Sequence, residues 1–509
     1  MKALEITGNT LTLDDVRAVV YENRAVQLGA DARKLVDRAR AVIEDVVAND
    51  RLAYAVTTGV GKLSDVRIPP AENRTLQLNL MRSHAVGVGE PLSEAVSRAM
   101  MLLRANSLSK GCSGVRGIVI DTLCEMLNHG VHPVIPSQGS VGASGDLAPL
   151  AHLGLVLIGE GEAIYQGKRM SGAEAMKAAQ IKPITLEAKE TISLINGTQA
   201  MLAVGLLSVI EAQILAETAD AIGALSLDVL KGTDAAFDER IHHARPHAGQ
   251  IEVAANLRRL LAGSEIHESH RDCARVQDAY SLRCIPQVHG AVRDTIRYCQ
   301  SVFEVEMNSV VDNPLVFPDP DRPGHGDIIS GGNFHGEPLA FALDFLGIAL
   351  TALAGISERR IERLVNPALS EGLPAFLAPG AGLNSGFMMP QVTAAALVSE
   401  NKVWAHPASV DSITTSGNKE DFVSMGMTAA IKLQRIVQNT RNVMAIEALA
   451  AAQALDFVAP LKTTKVLQRV HAEIRAVSPS IQEDRVLTKD FAAAAELIRS
   501  GKLAKAAQS

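Results

Sequence analysis

The sequence Gly139-Ser140-Val141-Gly142-Ala143-Ser144-Gly145-Asp146-Leu147-Ala148-Pro149 places three glycines in seven residues, just before an apolar run. Its central tripeptide, Ala143-Ser144-Gly145, can close on itself. The Gly145 amide nitrogen can attack the Ala143 carbonyl carbon, because glycine has no side chain in the way and tolerates a tight turn. Loss of that oxygen as water, and of the Ser144 hydroxyl as a second water, leaves a five-membered ring with an exocyclic methylene. Such a ring is an electrophile, a group that proteins otherwise take from a cofactor.

Other interpretations of this stretch compete with cyclisation. A nucleophile elbow requires Gly-x-Ser-x-Gly, and Asp146 occupies the last of those positions. A dinucleotide-binding loop requires a different glycine spacing after a clear strand. An ordinary glycine-rich loop leading into a helix capped near Asp146 stays open on these residues alone.

Residues 139–152, which end in Leu-Ala-Pro-Leu-Ala-His, closely resemble the signature of the aromatic amino acid ammonia-lyases. The resemblance implies that Ala143, Ser144 and Gly145 form 4-methylideneimidazol-5-one, with no external cofactor. It also implies a mostly α-helical fold similar to that of the fumarases and aspartases. A looped N-terminal domain, 1–195, would carry the prosthetic group, and residues 196–509 would form a central bundle of long helices followed by C-terminal helices.

Composition and apolar spacing favour helices as well. The 509 residues are 47% hydrophobic and only 3% aromatic, with alanine and leucine dominant. The apolar pattern predicts six helical segments, at about 93–106, 147–158, 194–230, 304–312, 339–356 and 425–457. Segment 194–230 is apolar enough to suggest a membrane span, but three acidic residues interrupt it, so we predict no membrane association.

Charge and cysteine usage limit the partners and the compartment. The net charge of −7 comes without a basic block, which argues against nucleic acid as a partner. The five cysteines are scattered without a CxxC pair, so we expect free thiols and a reducing compartment. The first residues lack the apolar region of a signal peptide, and we expect a cytoplasmic protein. His242, His243 and His247 cluster, but Pro246 breaks the helix that would align them, so we predict no metal site.

Two more motifs extend the resemblance towards catalysis. Tyr54 lies on a glycine loop and matches a catalytic tyrosine of the family, although Ala55, Thr57 and Val60 depart from the usual Gly, Asn and Phe. The segment 276–284 contains Gln277, Tyr280 and Arg283, a combination that is nearly diagnostic of the family. The resemblance makes Tyr280 catalytic, Gln277 a pocket residue and Arg283 the clamp for the substrate carboxylate, since arginine binds carboxylates bidentately. A salt-bridged turn is the alternative.

The resemblance also assigns substrate-binding residues. Asn196, Phe334 and Glu420 match active-site residues of the family, and a plain helix cap is the alternative for Asn196. His84 follows Ser83 as in family members that act on histidine, and with Glu420 it favours an imidazole over a benzene ring. Lys419 and Phe422 replace the family's usual Gln and His beside Glu420.

We therefore expect an enzyme that eliminates ammonia from L-histidine to give trans-urocanate, the first step of histidine degradation. The resemblance implies a homotetramer whose active sites are each built from three chains. Three alternatives remain open. They are a tyrosine or phenylalanine ammonia-lyase or a related aminomutase, an aspartase-like lyase without a prosthetic group, and a non-catalytic helical scaffold.

Overall fold

The computed structural model describes residues 2–273 and 275–508, and it confirms a mostly α-helical protein. Contacts divide the chain into two compact units. The first comprises Met1–Leu207, Gln300–Leu343 and Pro407–Ile431, and the second comprises Ser208–Cys299, Asp344–His406 and Lys432–Ser509. The domain boundary expected after residue 195 stays a prediction.

The first unit combines short helices with all of the described strands. Its helices are Leu13–Tyr21, Ala30–Ala48, Asn73–His84, Glu94–Leu108, Gly117–His129, Leu147–Leu157, Gly172–Ala178 and Glu190–Ile195, with 3₁₀ turns at Gly61–Leu63, Pro70–Glu72 and Ser416–Asn418. The strands pair as Leu4–Ile6 with Val26–Leu28 in parallel and, antiparallel, Val88–Pro91 with Pro136–Gln138, His132–Pro133 with Glu162–Tyr165, Glu162–Tyr165 with Lys168–Ser171, and Leu315–Pro318 with Gly326–Ile329.

The second unit is described as helices and 3₁₀ turns. Its helices are Glu239–His243, Ala248–Leu261, Glu265–Glu268, Tyr280–Arg283, Met388–Trp404, Lys465–Val477, Thr488–Arg499 and Lys502–Gln508, and its 3₁₀ turns are Ala235–Phe237 and Ala375–Leu377. Four long helices have residues in both units: Gln199–Val229, Ile285–Met307, Glu337–Val365 and Gly426–Val458.

The sequence predicts most of the long helices closely, with two informative differences. The run expected from Leu194 divides into Glu190–Ile195 and Gln199–Val229, because the backbone leaves the helix at Asn196 and Gly197, with φ of +158° at Gly197. The segment expected to stay helical to Asp312 ends at Met307 instead. Both departures bring loop residues to the cavity described below.

Two helices, Gln199–Val229 and Glu337–Val365, are long and apolar enough to cross a membrane. In their most apolar windows, 83% and 67% of the residues are buried inside the protein. A helix that is apolar on every side belongs in the core of a large protein as readily as in a membrane. Packing against the rest of the chain therefore covers most residues in the apolar stretch of each helix.

Candidate active site

A cavity of about 580 Å³ in the first unit lies beside the glycine-rich loop. Its lining comes from seven separate segments of loop and helix end, and comprises Tyr54, Val60, Gly61, Lys62, Leu63, Ser64, His84, Ala143, Ser144, Leu147, Ile192, Asn196, Asn313, Ser330, Phe334, His335, Ser416, Lys419, Glu420, Asp421 and Phe422. Rigid helices position such loops, which is how most enzymes arrange their catalytic groups. The structure thus brings together eight of the eleven predicted site residues around one cavity: seven line it, and Gly145 completes the tripeptide on its wall.

Hydrogen bonds fix both ends of the Ala143-Ser144-Gly145 tripeptide. On one side, the Met425 N–H donates to Val141 O at 2.9 Å. On the other, the Asp146 N–H donates to Gly197 O at 2.7 Å. The loop between these anchors is therefore held from both sides.

Gly145 has the left-handed conformation that favours glycine, with φ of +70°. A Cβ atom at this position would meet Gly197 O at 2.1 Å. The close approach leaves no room for a side chain at this position, and attack of the Gly145 nitrogen on Ala143 likewise favours a residue without one. The loop therefore fits the cyclised prosthetic group.

Asp146 follows the tripeptide and caps a different helix from the one expected. It is fully buried, and its Oδ2 accepts from the Ala200 and Met201 N–H groups, both at 2.9 Å, at the start of helix Gln199–Val229. Its Oδ1 accepts from Ser140 Oγ at 2.9 Å. Burial outweighs these bonds and raises the pKa of Asp146 to about 6. The carboxyl thus ties the loop to the first turn of the long helix.

Ser144 and Glu420 meet across the cavity. Ser144 Oγ donates to Glu420 Oε1 at 2.8 Å, and Thr415 Oγ1 donates to Glu420 Oε2 at 2.6 Å. The Thr415 N–H also donates to the Glu420 carbonyl at 2.9 Å. Both carboxyl oxygens of Glu420 are therefore oriented, one by the Ser144 hydroxyl and the other by the Thr415 hydroxyl.

His84 is the last residue of helix Asn73–His84 and is half-buried. Its Nδ1 lies 2.9 Å from Leu80 O and 3.1 Å from Ser83 Oγ. Since a carbonyl only accepts, Nδ1 carries the hydrogen and Nε2 of the neutral ring is an acceptor. Burial lowers the pKa of His84, while the Leu80 carbonyl and the charge of Glu420 oppose this change. The cavity thus contains a neutral imidazole beside a carboxyl.

Asn196 presents an unused acceptor to the cavity. Its Nδ2 donates to Asn313 O at 3.0 Å. Its Oδ1 is buried and has no hydrogen-bond partner within residues 2–273 and 275–508. A buried amide oxygen without a donor is costly, so it is ready to accept from a ligand.

Sequence reasoning missed the buried cation behind Asn196. Arg104 is fully buried, and its Nη1 donates to Asn196 O at 2.8 Å and to Gln199 Oε1 at 2.9 Å. Burial lowers the pKa of Arg104 to about 10. The sequence does contain a signal for this buried cation, because Arg104 lies within the apolar run of helix Glu94–Leu108, where a charged residue is unusual.

A buried ion pair lies in the same unit and was also missed. Lys189 Nζ donates to Asp312 Oδ2 at 2.8 Å and to Ser193 Oγ at 2.8 Å, and both charged side chains are fully buried. Burial lowers the pKa of Lys189, which Asp312 opposes. Asp312 immediately precedes Asn313, the residue that anchors Asn196.

Tyr54 and Phe334 complete the predicted residues on the cavity wall. Tyr54 is half-buried, and its phenol oxygen accepts from the Gly61 N–H at 3.1 Å. Phe334 is half-buried just before helix Glu337–Val365. The cavity therefore holds a phenol oxygen and an apolar ring together with the polar groups above.

Gln277, Tyr280 and Arg283 lie in the second unit, whereas the described lining of the cavity belongs to the first. Tyr280 is 70% exposed, and Arg283 Cζ lies 4.6 Å from the centre of its ring. Arg283 Nε is buried without a hydrogen-bond partner in the described part of the chain. The tyrosine and the arginine thus form a stacked pair with an unused donor.

In the histidine cluster around Pro246, His242 is packed in the interior, whereas His243 and His247 are exposed. His242 is buried, with Nε2 3.1 Å from Ala236 O and Nδ1 3.0 Å from Gln250 Nε2. Both of its ring nitrogens are thus occupied by protein groups. Among residues 2–273 and 275–508, no group of three or more His, Cys, Asp or Glu side chains is arranged to hold a metal ion.

Comparisons with known proteins agree with this site. The family model for the aromatic amino acid lyases matches residues 11–476. A histidine ammonia-lyase from Koribacter versatilis (strain Ellin345) is 87% identical, with 100% of each chain covered. A crystal structure of histidine ammonia-lyase from Trypanosoma cruzi is 43% identical, with a TM-score of 0.91, and the match covers 99% of this chain and 95% of that one. Tyrosine aminomutase from Streptomyces globisporus is 37% identical, with a TM-score of 0.93 and coverage of 99% and 98%.

The fold and the cavity together define a carbon–nitrogen lyase with the fumarase and aspartase type of fold. The chain belongs to the aromatic amino acid lyase family. Members of this family act on an amino acid and use a prosthetic group made from their own chain.

Proposed function

We propose that the protein eliminates ammonia from L-histidine and releases trans-urocanate, the first step of histidine degradation. The carrying observation is the contact between Ser144 and Glu420 at 2.8 Å, in a cavity that His84 also lines. This contact supports the proposal, because the serine from which we propose that the electrophile forms lies beside two groups that suit an imidazole. The relative that is 87% identical, a histidine ammonia-lyase, supports the same substrate.

The prosthetic group is proposed to form from Ala143, Ser144 and Gly145 without an external cofactor. When formed, it supplies an electrophile that converts the substrate amine into a better leaving group. The left-handed Gly145 and its close approach to Gly197 support this assignment.

In the elimination, a base removes a proton from the substrate β-carbon. The electron pair of that bond forms the new double bond, and the bonding pair of the Cα–N bond leaves with the nitrogen. We assign the base to Tyr54, whose oxygen lines the cavity wall and accepts from the Gly61 N–H. That N–H stabilises negative charge on the oxygen when the base is ionised. A positioned base contributes roughly 10²–10⁴-fold in rate.

The substrate is bound by groups with matching hydrogen-bonding roles. The unused Oδ1 of Asn196 accepts from the substrate amine. His84 Nε2 and the Glu420 carboxyl accept from imidazole N–H groups, which a benzene ring lacks. Phe334 provides an apolar surface for the ring.

We propose a homotetramer in which three chains build each active site, so that Gln277, Tyr280 and Arg283 complete the cavity of a neighbouring chain. Arg283 then clamps the substrate carboxylate, Tyr280 assists catalysis and Gln277 lines the pocket. An apolar groove on the second unit supports an oligomer: Tyr298, Phe345 and Ile348 line it and are 49%, 43% and 46% exposed. Exposed apolar patches of this kind mark interaction surfaces.

A cytoplasmic location is part of the proposal. All five cysteines, which the structure describes, are free thiols, as expected in a reducing compartment.

The test is ultraviolet absorbance of purified protein mixed separately with L-histidine, L-tyrosine and L-phenylalanine, with Ser144→Ala as the matched control. We expect a urocanate band from L-histidine alone and no band from the control. A cinnamate from L-tyrosine or L-phenylalanine, with no urocanate, would contradict the assignment of His84 and Glu420. Sedimentation equilibrium tests the oligomer, with the mass of four 54.0 kDa chains expected.

A further inference from the structure

The Ser144 hydroxyl must leave if the prosthetic group forms, and the structure shows what it touches. Ser144 Oγ lies 2.8 Å from Glu420 Oε1, well within hydrogen-bonding distance. The other carboxyl oxygen is fixed at 2.6 Å by the Thr415 hydroxyl. The carboxyl therefore has one oxygen held by the protein and the other on the leaving oxygen.

Hydroxide is a poor leaving group, so loss of the serine oxygen requires a proton donor. We propose that Glu420 is the acid that protonates the Ser144 hydroxyl as it departs during formation of the prosthetic group. This inference rests on the proposed function, because it concerns a step that only a self-made electrophile requires. It gives Glu420 a role before any substrate is bound.

The step balances as a dehydration. The Ser144 Cα–H proton passes to a water molecule, and the electron pair of that bond forms the Cα=Cβ double bond. Glu420 first takes a proton from solvent and, as the carboxylic acid, donates it to Ser144 Oγ. The Cβ–Oγ bond breaks, and its electron pair leaves with the oxygen, which takes that proton and leaves Glu420 as the carboxylate. The net product is one water molecule, and no oxidant or reductant is needed.

Three other titratable groups close to the tripeptide or on the cavity wall hydrogen-bond groups other than Ser144. Asp146 uses both carboxyl oxygens on Ser140 and on the start of helix Gln199–Val229. His84 uses Nδ1 on Leu80 O, and the Tyr54 oxygen accepts from the Gly61 N–H. In the described part of the chain, Glu420 is the titratable side chain that hydrogen-bonds Ser144.

The dehydration also changes what Glu420 can do next. Once the Ser144 hydroxyl is gone, Glu420 Oε1 has lost its donor and faces the cavity as an acceptor. An imidazole N–H can then replace the lost hydroxyl. One carboxyl thereby serves first as the acid of maturation and then as a substrate-binding group.

The test is intact mass of freshly synthesised, folded chains over time. We expect the wild-type chain to become lighter by two waters, whereas Glu420→Gln becomes lighter by at most one, with dehydration slower by roughly 10²–10⁴-fold. Glutamine keeps the size and the acceptor of glutamate but has no acidic proton. Asp421→Asn is the matched control, since this neighbouring carboxyl lines the cavity, and we expect it to lose two waters at the wild-type rate.

A second variant keeps the inference testable if Glu420→Gln does not fold. Thr415→Val retains the acid but removes the hydroxyl that orients it, so we expect a slower second loss of water. Wild-type rates for Glu420→Gln, or for Thr415→Val where Glu420→Gln is unfolded, would overturn the inference while leaving the proposed function intact. A wild-type chain that keeps its full mass would instead overturn the proposed function.

Discussion

The cavity has two walls that differ in how firmly they are built. The inner wall, residues 139–146 with Asn196 and Gly197, is largely buried: Ala143 is 5% exposed and Asp146 is fully buried. The rim, residues 415–422, is mostly exposed, with Phe422 62% exposed. The Ala143-Ser144-Gly145 tripeptide lies in the more buried wall, and Glu420 is the group that reaches from the rim to it.

The two walls also differ in the interactions that hold them in place. Backbone hydrogen bonds and buried charges such as Arg104 hold the inner wall, and changes there leave groups unpaired in a low-dielectric interior. The rim depends on local turns, such as the Thr415 N–H to Glu420 O bond. The rim is also where Lys419 and Phe422 depart from the pattern usual in the family. The inner wall is thus held by buried groups, whereas the rim is held by its own turns and by the contact of Glu420 with Ser144.

The largest effect is expected from Gly145→Ala, on the inner wall. An alanine in this left-handed conformation is strained by about 1–2 kcal/mol, and its Cβ would meet the Gly197 backbone at 2.1 Å. We expect a chain of full mass with no measurable ammonia release. Gly332→Ala is the control, since a Cβ there meets nothing within 4 Å. A Gly145→Ala enzyme that matures normally would show that the inner wall adapts as the rim does.

Next in size is Lys189→Met, which leaves Asp312 buried without its cation. We expect a loss of about 3–5 kcal/mol in the free energy of unfolding, measured by urea denaturation. Adding Asp312→Asn in the same chain removes the unpaired charge and should recover most of that loss. If the free energy of unfolding of Lys189→Met alone lay within about 0.5 kcal/mol of wild type, the interior would tolerate this change as a surface does.

The raised pKa of the Asp146 carboxyl should make the free energy of unfolding depend on pH. Its folded pKa of about 6 lies above the unfolded value of 3.8, so the folded state binds this proton more tightly. The free energy of unfolding should therefore fall as pH rises from about 4 to about 6, by up to roughly 3 kcal/mol, and then level off.

Asp146→Asn isolates this contribution, because the amide can keep the bonds to Ser140, Ala200 and Met201. We expect the wild type to lose stability relative to Asp146→Asn across that pH range in urea melts. Other carboxyls titrate in both proteins and cancel in the difference. Parallel pH profiles for the two proteins would contradict the raised pKa.

A smaller effect is expected from His84→Leu, which removes a ring acceptor but keeps an apolar side chain. We expect kcat/KM for L-histidine to fall by roughly 10- to 100-fold, as for one lost hydrogen bond to the substrate. Ser83→Ala is the control, since it leaves the imidazole in place. The mass loss of two waters should be unchanged in both variants. Unaltered kinetics in His84→Leu would remove the strongest reason for choosing L-histidine.

The smallest effect is expected from Lys419→Gln, which restores the residue usual in the family at an exposed rim position. We expect stability to change by less than about 0.5 kcal/mol and kcat/KM by less than about threefold. A change of tenfold or more in kcat/KM, measured by steady-state kinetics, would show that the rim is as sensitive to substitution as the inner wall.

Much of the fold could be predicted from apolar periodicity, as helix Gly426–Val458 shows against the expected 425–457. Periodicity failed where the backbone departs from the helix. The expected run from Leu194 breaks at Asn196 and Gly197, with φ of +158° at Gly197. The alanine-rich end of the chain concealed three helices, at Lys465–Val477, Thr488–Arg499 and Lys502–Gln508.

The candidate site was predicted from motifs, and their assigned roles stay predictions. The spacing of residues along the chain could not predict partners far apart in sequence, such as Ser144 with Glu420 or Lys189 with Asp312. A lone lysine and a lone aspartate look like surface residues until the fold buries both. Hydrogen-bond partners are properties of the three-dimensional structure, and a single sequence does not encode them in any local pattern.

The most direct test of the central claim is peptide-level mass spectrometry of the protease-digested wild-type protein. The account predicts that the peptide containing Ala143-Ser144-Gly145 is lighter than its sequence by two waters, and that every other peptide has its sequence mass. A peptide of full mass, from protein that still converts L-histidine to urocanate, would contradict it.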